Sequence, residues 1–206
     1  IRLVPNTEAA MNSAQILHNK LTGARGWDLC AIRDGQKTII GKTEWSQDID
    51  SYAKRDQARP MRDTRVGMLP PKLAQIIINL AAGDSTPDDN KLLLDPFCGT
   101  GVILQEAALM GYSVYGTDLE PRMVQYSIEN LSWLKDKFHT DFYARIEQGD
   151  AVTTKWASSD KIFAVACETY LGAPMAGKIT LEYIEKERHS AQALLKKALI
   201  NISSQI

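Results

Sequence analysis

The stretch LLLDPFCGTGVILQEAALMG, residues 92–111, constrains this chain more than any other. A short apolar run ending on an acid, Asp95, passes through two glycines, Gly99 and Gly101, into an apolar segment of helical length. This is how an open α/β sheet begins: ligands meet the carboxyl ends of its strands, and a glycine turn lets backbone come close to them. A phosphate or a nucleoside would each suit such a turn. Residues farther along separate the two.

The alternation continues downstream. KLLLD reads as a buried strand, GVILQEAALM as a helix stopped by Gly111, and YSVYGTDL as a second strand. EPRMVQYSIENLSWLKDKF is a longer helix with Pro121 in its first turn and Val124, Ile128, Leu131, Leu134 and Phe138 along one side. ARIEQGDA and KIFAVACETYLG supply a third and a fourth strand, and ALLKKALINISSQI closes the chain as a helix. The pattern predicts a doubly wound, mainly parallel sheet with helices on both faces.

Upstream, SAQILHNKLTG (13–23) reads as a short helix and WDLCAIRDGQKTIIGKTEW (27–45) as a hairpin turned at Asp34-Gly35. A basic, irregular stretch follows. It leads into a helix opened by Pro70-Pro71, with Leu73, Ile76, Ile77 and Leu80 on one face. The expected division is a partial amino-terminal α+β segment (1–52), a basic linker and helix (53–90), and an α/β domain (91–206).

Composition narrows the function classes. The 206 residues, 44% hydrophobic and 24% charged, suit one soluble domain with a small appendage. No apolar run reaches membrane-spanning length and the amino terminus lacks a signal layout, so a cytoplasmic protein without a membrane partner is expected. Cys30, Cys98 and Cys167 are odd in number and widely spaced, and His18, His139 and His189 are scattered. Neither a disulfide framework nor a metal site is expected. A net charge of -1 gives no general pull toward nucleic acid. A polyanionic partner would have to be recognised by a segment outside this sequence or by a local patch, for which Arg55, Arg59, Arg62 and Arg65, beside Lys54, are the candidates. Asp56 and Asp63 are interleaved with them, so internal ion pairs are an equally open reading.

The choice of ligand follows from what is missing. A phosphate-binding P-loop needs a Gly-Lys-Ser/Thr ending, which is absent, and a dinucleotide turn needs a third glycine where Leu104 stands. Asp118, 23 residues after Asp95 and at the end of the second strand, fits a carboxylate that accepts hydrogen bonds from two ribose hydroxyls. Asp150 ends the third strand, where an exocyclic amine such as adenine N6 would find an acceptor. The site suits a nucleoside without a pyrophosphate.

DPFCGTG resembles the first motif of class I S-adenosylmethionine-dependent methyltransferases, in the wording of those that methylate exocyclic amines of nucleobases. RDQARPMRDTRVGMLPPKLAQIIINLA is more specific: it resembles the segment before the catalytic domain in a group of tRNA guanine-N2 methyltransferases, the UPF0020-type RNA methylases. The resemblance runs from about residue 13 to residue 172 and implies a Rossmann-like methyltransferase fold, with S-adenosylmethionine as cofactor and S-adenosylhomocysteine as product. It implies that Asp95, Phe97, Gly99 and Gly101 surround the methionine part and that Asp118 holds the ribose. Leu119 would pack on the adenine, and Asp150 with Ala151 would read its edge. The implied partner is RNA, specifically tRNA.

One motif departs from the family. Such enzymes carry Asp/Asn-Pro-Pro-Tyr/Phe after the fourth strand, where an oxygen orients the target amine and a ring stacks on the extruded base. Here the chain reads ACETYLGAP. The preferred register makes Glu168 the amine acceptor and Tyr170 the stacking ring, with Gly172 allowing close approach. The altered motif leaves a non-catalytic cofactor- or RNA-binding module as one rival reading, and a DNA adenine-N6 or cytosine-N4 methyltransferase as another. The resemblance also implies a seven-stranded sheet, of which four strands are counted. An open edge on the fourth would call for cover by a second copy or a small activating partner protein.

Overall fold

The computed structural model describes residues 3–63, 68–88, 90–156, 161–172 and 180–206. Two compact units divide the chain, Ile1–Ala58 and Arg59–Ile206.

In the first unit, helix α1 (Ser13–His18) is closed at its start by reciprocal bonds. Asn12 Oδ1 accepts the Gln15 N–H at 3.0 Å, and Gln15 Oε1 accepts the Asn12 N–H at 2.9 Å. Strands β1 (Leu29–Asp34) and β2 (Lys37–Lys42) form an antiparallel hairpin in which Asp34 faces Lys37. The turn therefore sits at Gly35-Gln36, one residue later than the expected Asp34-Gly35, and Gly35 takes the left-handed φ of 57°. A correction follows. Residues 51–57, expected to be basic and irregular, lie in helix α2 (Ile49–Gln57). Asp48 caps it by accepting the Ser51 N–H at 3.0 Å, and Lys54 and Arg55 occupy the last turn, where the helix dipole favours cations.

The second unit holds a four-stranded, all-parallel sheet. Its strands are β3 (Leu92–Asp95), β4 (Ser113–Asp118), β5 (Ala144–Gln148) and β6 (Ile162–Val165), in the order β5-β4-β3-β6. β3 is buried along its whole length, as a central parallel strand must be, and its side chains part to two cores. Leu93 joins Val114, Leu104, Ala107 and Leu131 on one face; Leu92 and Leu94 join Tyr115, Trp156 and Ile162 on the other. Helices α3 (Pro71–Ala82), α4 (Val102–Leu109) and α5 (Pro121–Phe138) contribute to the first core. Ile202 of α6 (Leu181–Ser203) packs on the second. The doubly wound α/β fold is therefore present.

One helix buries a face other than that expected, and a second buries the expected face only in part. α3 turns Pro71, Ala74, Ile78 and Ala82 inward, leaving Leu73, Ile76 and Leu80 exposed, Leu80 by 80%. Small residues let α3 lie close to α4, where Gln75 Nε2 donates to Glu106 Oε2 at 2.7 Å. α5 buries Met123, Ser127, Asn130, Leu131 and Leu134, whereas Ile128 is exposed.

Candidate cofactor site

After β3 the chain moves outward to β4 and β5, then returns to place β6 on the other side of β3. The crevice beyond the carboxyl ends of β3 and β6 is the topological switch point, where sheets of this kind bind ligands. Asp95 ends β3, Asp118 ends β4, Asp150 follows β5, and Cys167, Glu168 and Tyr170 follow β6.

The turn between β3 and α4 is built on backbone geometry that side chains would block. Gly99 has φ 52° and Gly101 φ 81°, both left-handed. Gly101 is tight as well. A Cβ there would stand 2.9 Å from Ser127 Oγ and 3.2 Å from Ser127 Cβ. The Gly101 N–H closes the turn on the Cys98 carbonyl at 2.7 Å, and the Cys98 N–H is held by the Thr117 carbonyl at 3.0 Å, which pins the turn to β4.

Asp118 faces this turn. Its Oδ2 accepts the Gly99 N–H at 2.8 Å and its Oδ1 the Glu120 N–H at 3.0 Å, so its carboxylate is oriented by two amides. Asp95 Oδ1 accepts the Phe97 N–H at 3.0 Å, and the residue is 1% exposed. Burial pushes its carboxyl well above the usual carboxylate range. The Phe97 N–H opposes that shift, and the negative charges of Asp118 and Glu168 add to it. Burial beside Asp95 likewise raises the Cys98 thiol, and pushes the Cys167 thiol up to about 12. Both cysteines are free thiols, and neither is poised as a thiolate nucleophile. Asp150 Oδ1 accepts the Val152 N–H at 2.9 Å, an Asx-type turn that leaves its second oxygen for other partners. Ala151 is buried and its carbonyl accepts from Asn201 Nδ2 at 3.0 Å. Leu119 and Tyr170 are 65% and 47% exposed.

A family model, UPF0020 (RMKL-like, methyltransferase domain), matches residues 59–164, which include this turn and the acids at the ends of β3, β4 and β5. The chain belongs to that family. Among curated relatives, the tRNA (guanine(10)-N2)-dimethyltransferase of Methanothermobacter thermautotrophicus is 47% identical over 81 residues, covering 37% of this chain and 22% of that protein. The protein of the same name from Pyrococcus abyssi is 37% identical over 105 residues, covering 50% of this chain and 29% of its own length. The matched stretch is thus under a third of either relative. The crystal structure of TrmN from Thermus thermophilus aligns with a TM-score of 0.37 at 22% identity, over 68% of this chain and 40% of that one.

The arginine run is dispersed within this UPF0020 chain. Arg55 is 8% exposed; its Nη1 donates to Ser51 Oγ at 2.6 Å and its guanidinium lies 4.3 Å from the Tyr52 ring centre. Arg59 is 2% exposed. Neither offers its guanidinium to a phosphate in this conformation. Arg62 is exposed, and Arg65 lies outside the described residues. Asp63, interleaved with them, pairs with Arg122 Nη2 at 3.0 Å.

Ser127 and Asn130 were not among the expected site residues, although both touch the glycine turn. Their only trace in the sequence is two polar residues, three apart, on a helix face otherwise apolar. Among the described residues no group of three His, Cys, Asp or Glu side chains is placed to hold a metal ion, and no helix is long and apolar enough to cross a membrane.

Proposed function

We propose that this domain binds S-adenosylmethionine and transfers its methyl group to the exocyclic N2 of a guanosine in tRNA. The observation that carries the reading is the glycine turn bonded to Asp118, with Asp95 and Glu168 close enough for their charges to act on one another. Bound there, S-adenosylmethionine would supply an electrophilic methyl carbon on a sulfonium. Acids around one crevice favour a cationic ligand to the extent that they are ionised, and the oriented Asp118 carboxylate has lone pairs left for two sugar hydroxyls.

The chain's own residues then have distinct tasks. Asp118 holds the ribose and Leu119 covers one face of the adenine. Asp150 and the backbone beside Ala151 meet the base edge. Glu168 accepts a hydrogen bond from the target amine, which aims the nitrogen lone pair and gives its departing proton an acceptor. Tyr170 stacks on the guanine extruded from its neighbours. The relatives named as tRNA (guanine(10)-N2)-dimethyltransferases support tRNA as the substrate.

The test begins with calorimetry against S-adenosylmethionine, S-adenosylhomocysteine and NAD, followed by methyl transfer to unmodified tRNA and to duplex DNA. The reading expects the first two ligands to bind, NAD not to bind, and N2-methylguanosine to form in tRNA alone. Glu168→Ala should keep its affinity for S-adenosylhomocysteine, which lacks the sulfonium charge, while kcat at saturating S-adenosylmethionine falls about 100-fold, the scale of a lost proton acceptor. Cofactor binding with no transfer by the wild type would reduce the site to a binding module. Unchanged turnover in Glu168→Ala would remove Glu168 from its role.

A further inference from the structure

Two fully buried polar side chains on α5 engage the glycine turn from behind. Ser127 Oγ donates to the Gly99 carbonyl at 2.8 Å. One turn later, Asn130 Nδ2 donates to the Thr100 carbonyl, also at 2.8 Å. Successive carbonyls of the turn thus face the helix, while the Gly99 N–H faces Asp118.

Asn130 has a second attachment. Its Nδ2 also donates to the Met61 carbonyl at 2.9 Å, and its Oδ1 accepts the Met61 N–H at 2.9 Å. Both N–H groups and the carbonyl of one amide are therefore engaged, on two backbone segments far apart in sequence. An apolar residue would fill this space without needing three partners. Residues 59–63, the segment so held, gain another anchor two residues on, where Asp63 pairs with Arg122 in the first turn of the same helix.

We infer that Asn130 is a positioning residue for cofactor binding: it locks residues 59–63 to the glycine turn, so the conformation of one sets that of the other. The inference rests on reading the turn as the S-adenosylmethionine site. A displacement at Met61 passes through a single amide to the Thr100 carbonyl, and so to the peptide that joins Thr100 to Gly101. The segment upstream of the sheet thereby tunes a site that it need not touch.

Two variants and two readouts test this. Asn130→Asp keeps an acceptor for the Met61 N–H but loses both donors, setting one carboxylate oxygen against two carbonyls. Met61→Pro removes the Met61 N–H, fixes φ at residue 61 and exchanges its side chain, and leaves the turn's own contacts in place. In both, the S-adenosylhomocysteine Kd and the cofactor KM should rise, about tenfold in Asn130→Asp and several-fold in Met61→Pro, with kcat at saturating cofactor within about twofold of wild type. Amide exchange in the ligand-free protein should quicken at Gly99 and Gly101 in Met61→Pro. Cofactor affinity unchanged in a stably folded Met61→Pro, or a loss confined to kcat, would overturn the inference. Should Asn130→Asp fail to fold, Met61→Pro decides alone. If the wild type does not bind S-adenosylhomocysteine, the proposed function fails, and the exchange experiment still decides the coupling: faster exchange at Gly99 and Gly101 upholds it, and unchanged exchange overturns it.

Discussion

The Asp118 carboxylate accepts the Gly99 N–H at 2.8 Å, joining the acid at the end of β4 to the turn that follows β3. A ligand entering the crevice meets an acceptor already oriented by backbone, with little side-chain entropy left to lose. The same bond ties two strand ends together in the ligand-free fold. In the proposed site Asp118 therefore serves both stability and binding.

Asp118→Ala is expected to weaken cofactor binding by about 1–3 kcal/mol, the usual worth of hydrogen bonds to a charged group. Asp118→Asn should lose less, because its amide oxygen can still accept one N–H. Calorimetry on both variants, with thermal unfolding in parallel, separates the binding loss from loosening of the turn. Equal affinity in all three proteins would remove Asp118 from the ribose role.

The two glycines of the turn should respond differently to the same substitution. A Cβ on Gly99 meets only the Phe97 carbonyl at 4.0 Å, so Gly99→Ala carries mainly the cost of its left-handed φ, about 1 kcal/mol. At Gly101 the same change also drives a methyl into Ser127, and about 2–3 kcal/mol is expected. Denaturant unfolding of both variants checks the order. The reverse order would mean that α5 yields readily at Ser127.

How much of this was legible in the sequence depended on whether the signal was local. The β3 turn, the acids at the strand ends and each strand or helix of the alternation are marked by residues close together in sequence, and period and glycine spacing sufficed. α3 defeated the same method because LAQIIINLAA is apolar nearly all round, so periodicity could not select its inner face. The structure chose the small residues, Ala74 and Ala82, with Ile78, leaving larger ones outside. α2 was missed for the opposite reason: it is polar, and only its Asp48 cap marks where it starts. Asn130 shows in the sequence only as a polar residue on an apolar helix face, since its partners at Met61 and Thr100 are defined by tertiary placement alone.

Burial divides the arginine run into testable halves. Arg62→Ala is expected to weaken RNA binding and to reduce the slope of log K against log salt by about 0.7–0.9, one phosphate contact. Arg55→Ala and Arg59→Ala should lower thermal stability and leave that slope unchanged, since their guanidinium groups are buried. Filter binding across a salt series gives the slopes. A reduced slope for Arg55→Ala in a stably folded protein would show that α2 opens its last turn to RNA.

Asp95 should set a conflict between stability and binding. Its carboxyl is raised above the ordinary range mainly by burial, so the native state holds the proton more tightly than the unfolded chain does. Within that window the folded protein binds more protons than the unfolded one. Stability therefore falls as pH rises from the unfolded carboxylate range, about 4, through the raised native value, and stays lower above it. Asp95→Asn keeps an oxygen for the Phe97 N–H and cannot ionise. It should melt above the wild type at neutral pH, and the gap should close as pH approaches about 4. Above the raised native value, where Asp95 is ionised, the same change removes a negative charge from the crevice, so affinity for cationic S-adenosylmethionine should drop more there than affinity for S-adenosylhomocysteine, which lacks the sulfonium charge. Thermal unfolding from acid to neutral pH and paired titrations measure both effects. A melting difference that does not vary with pH would mean that Asp95 acts through packing alone.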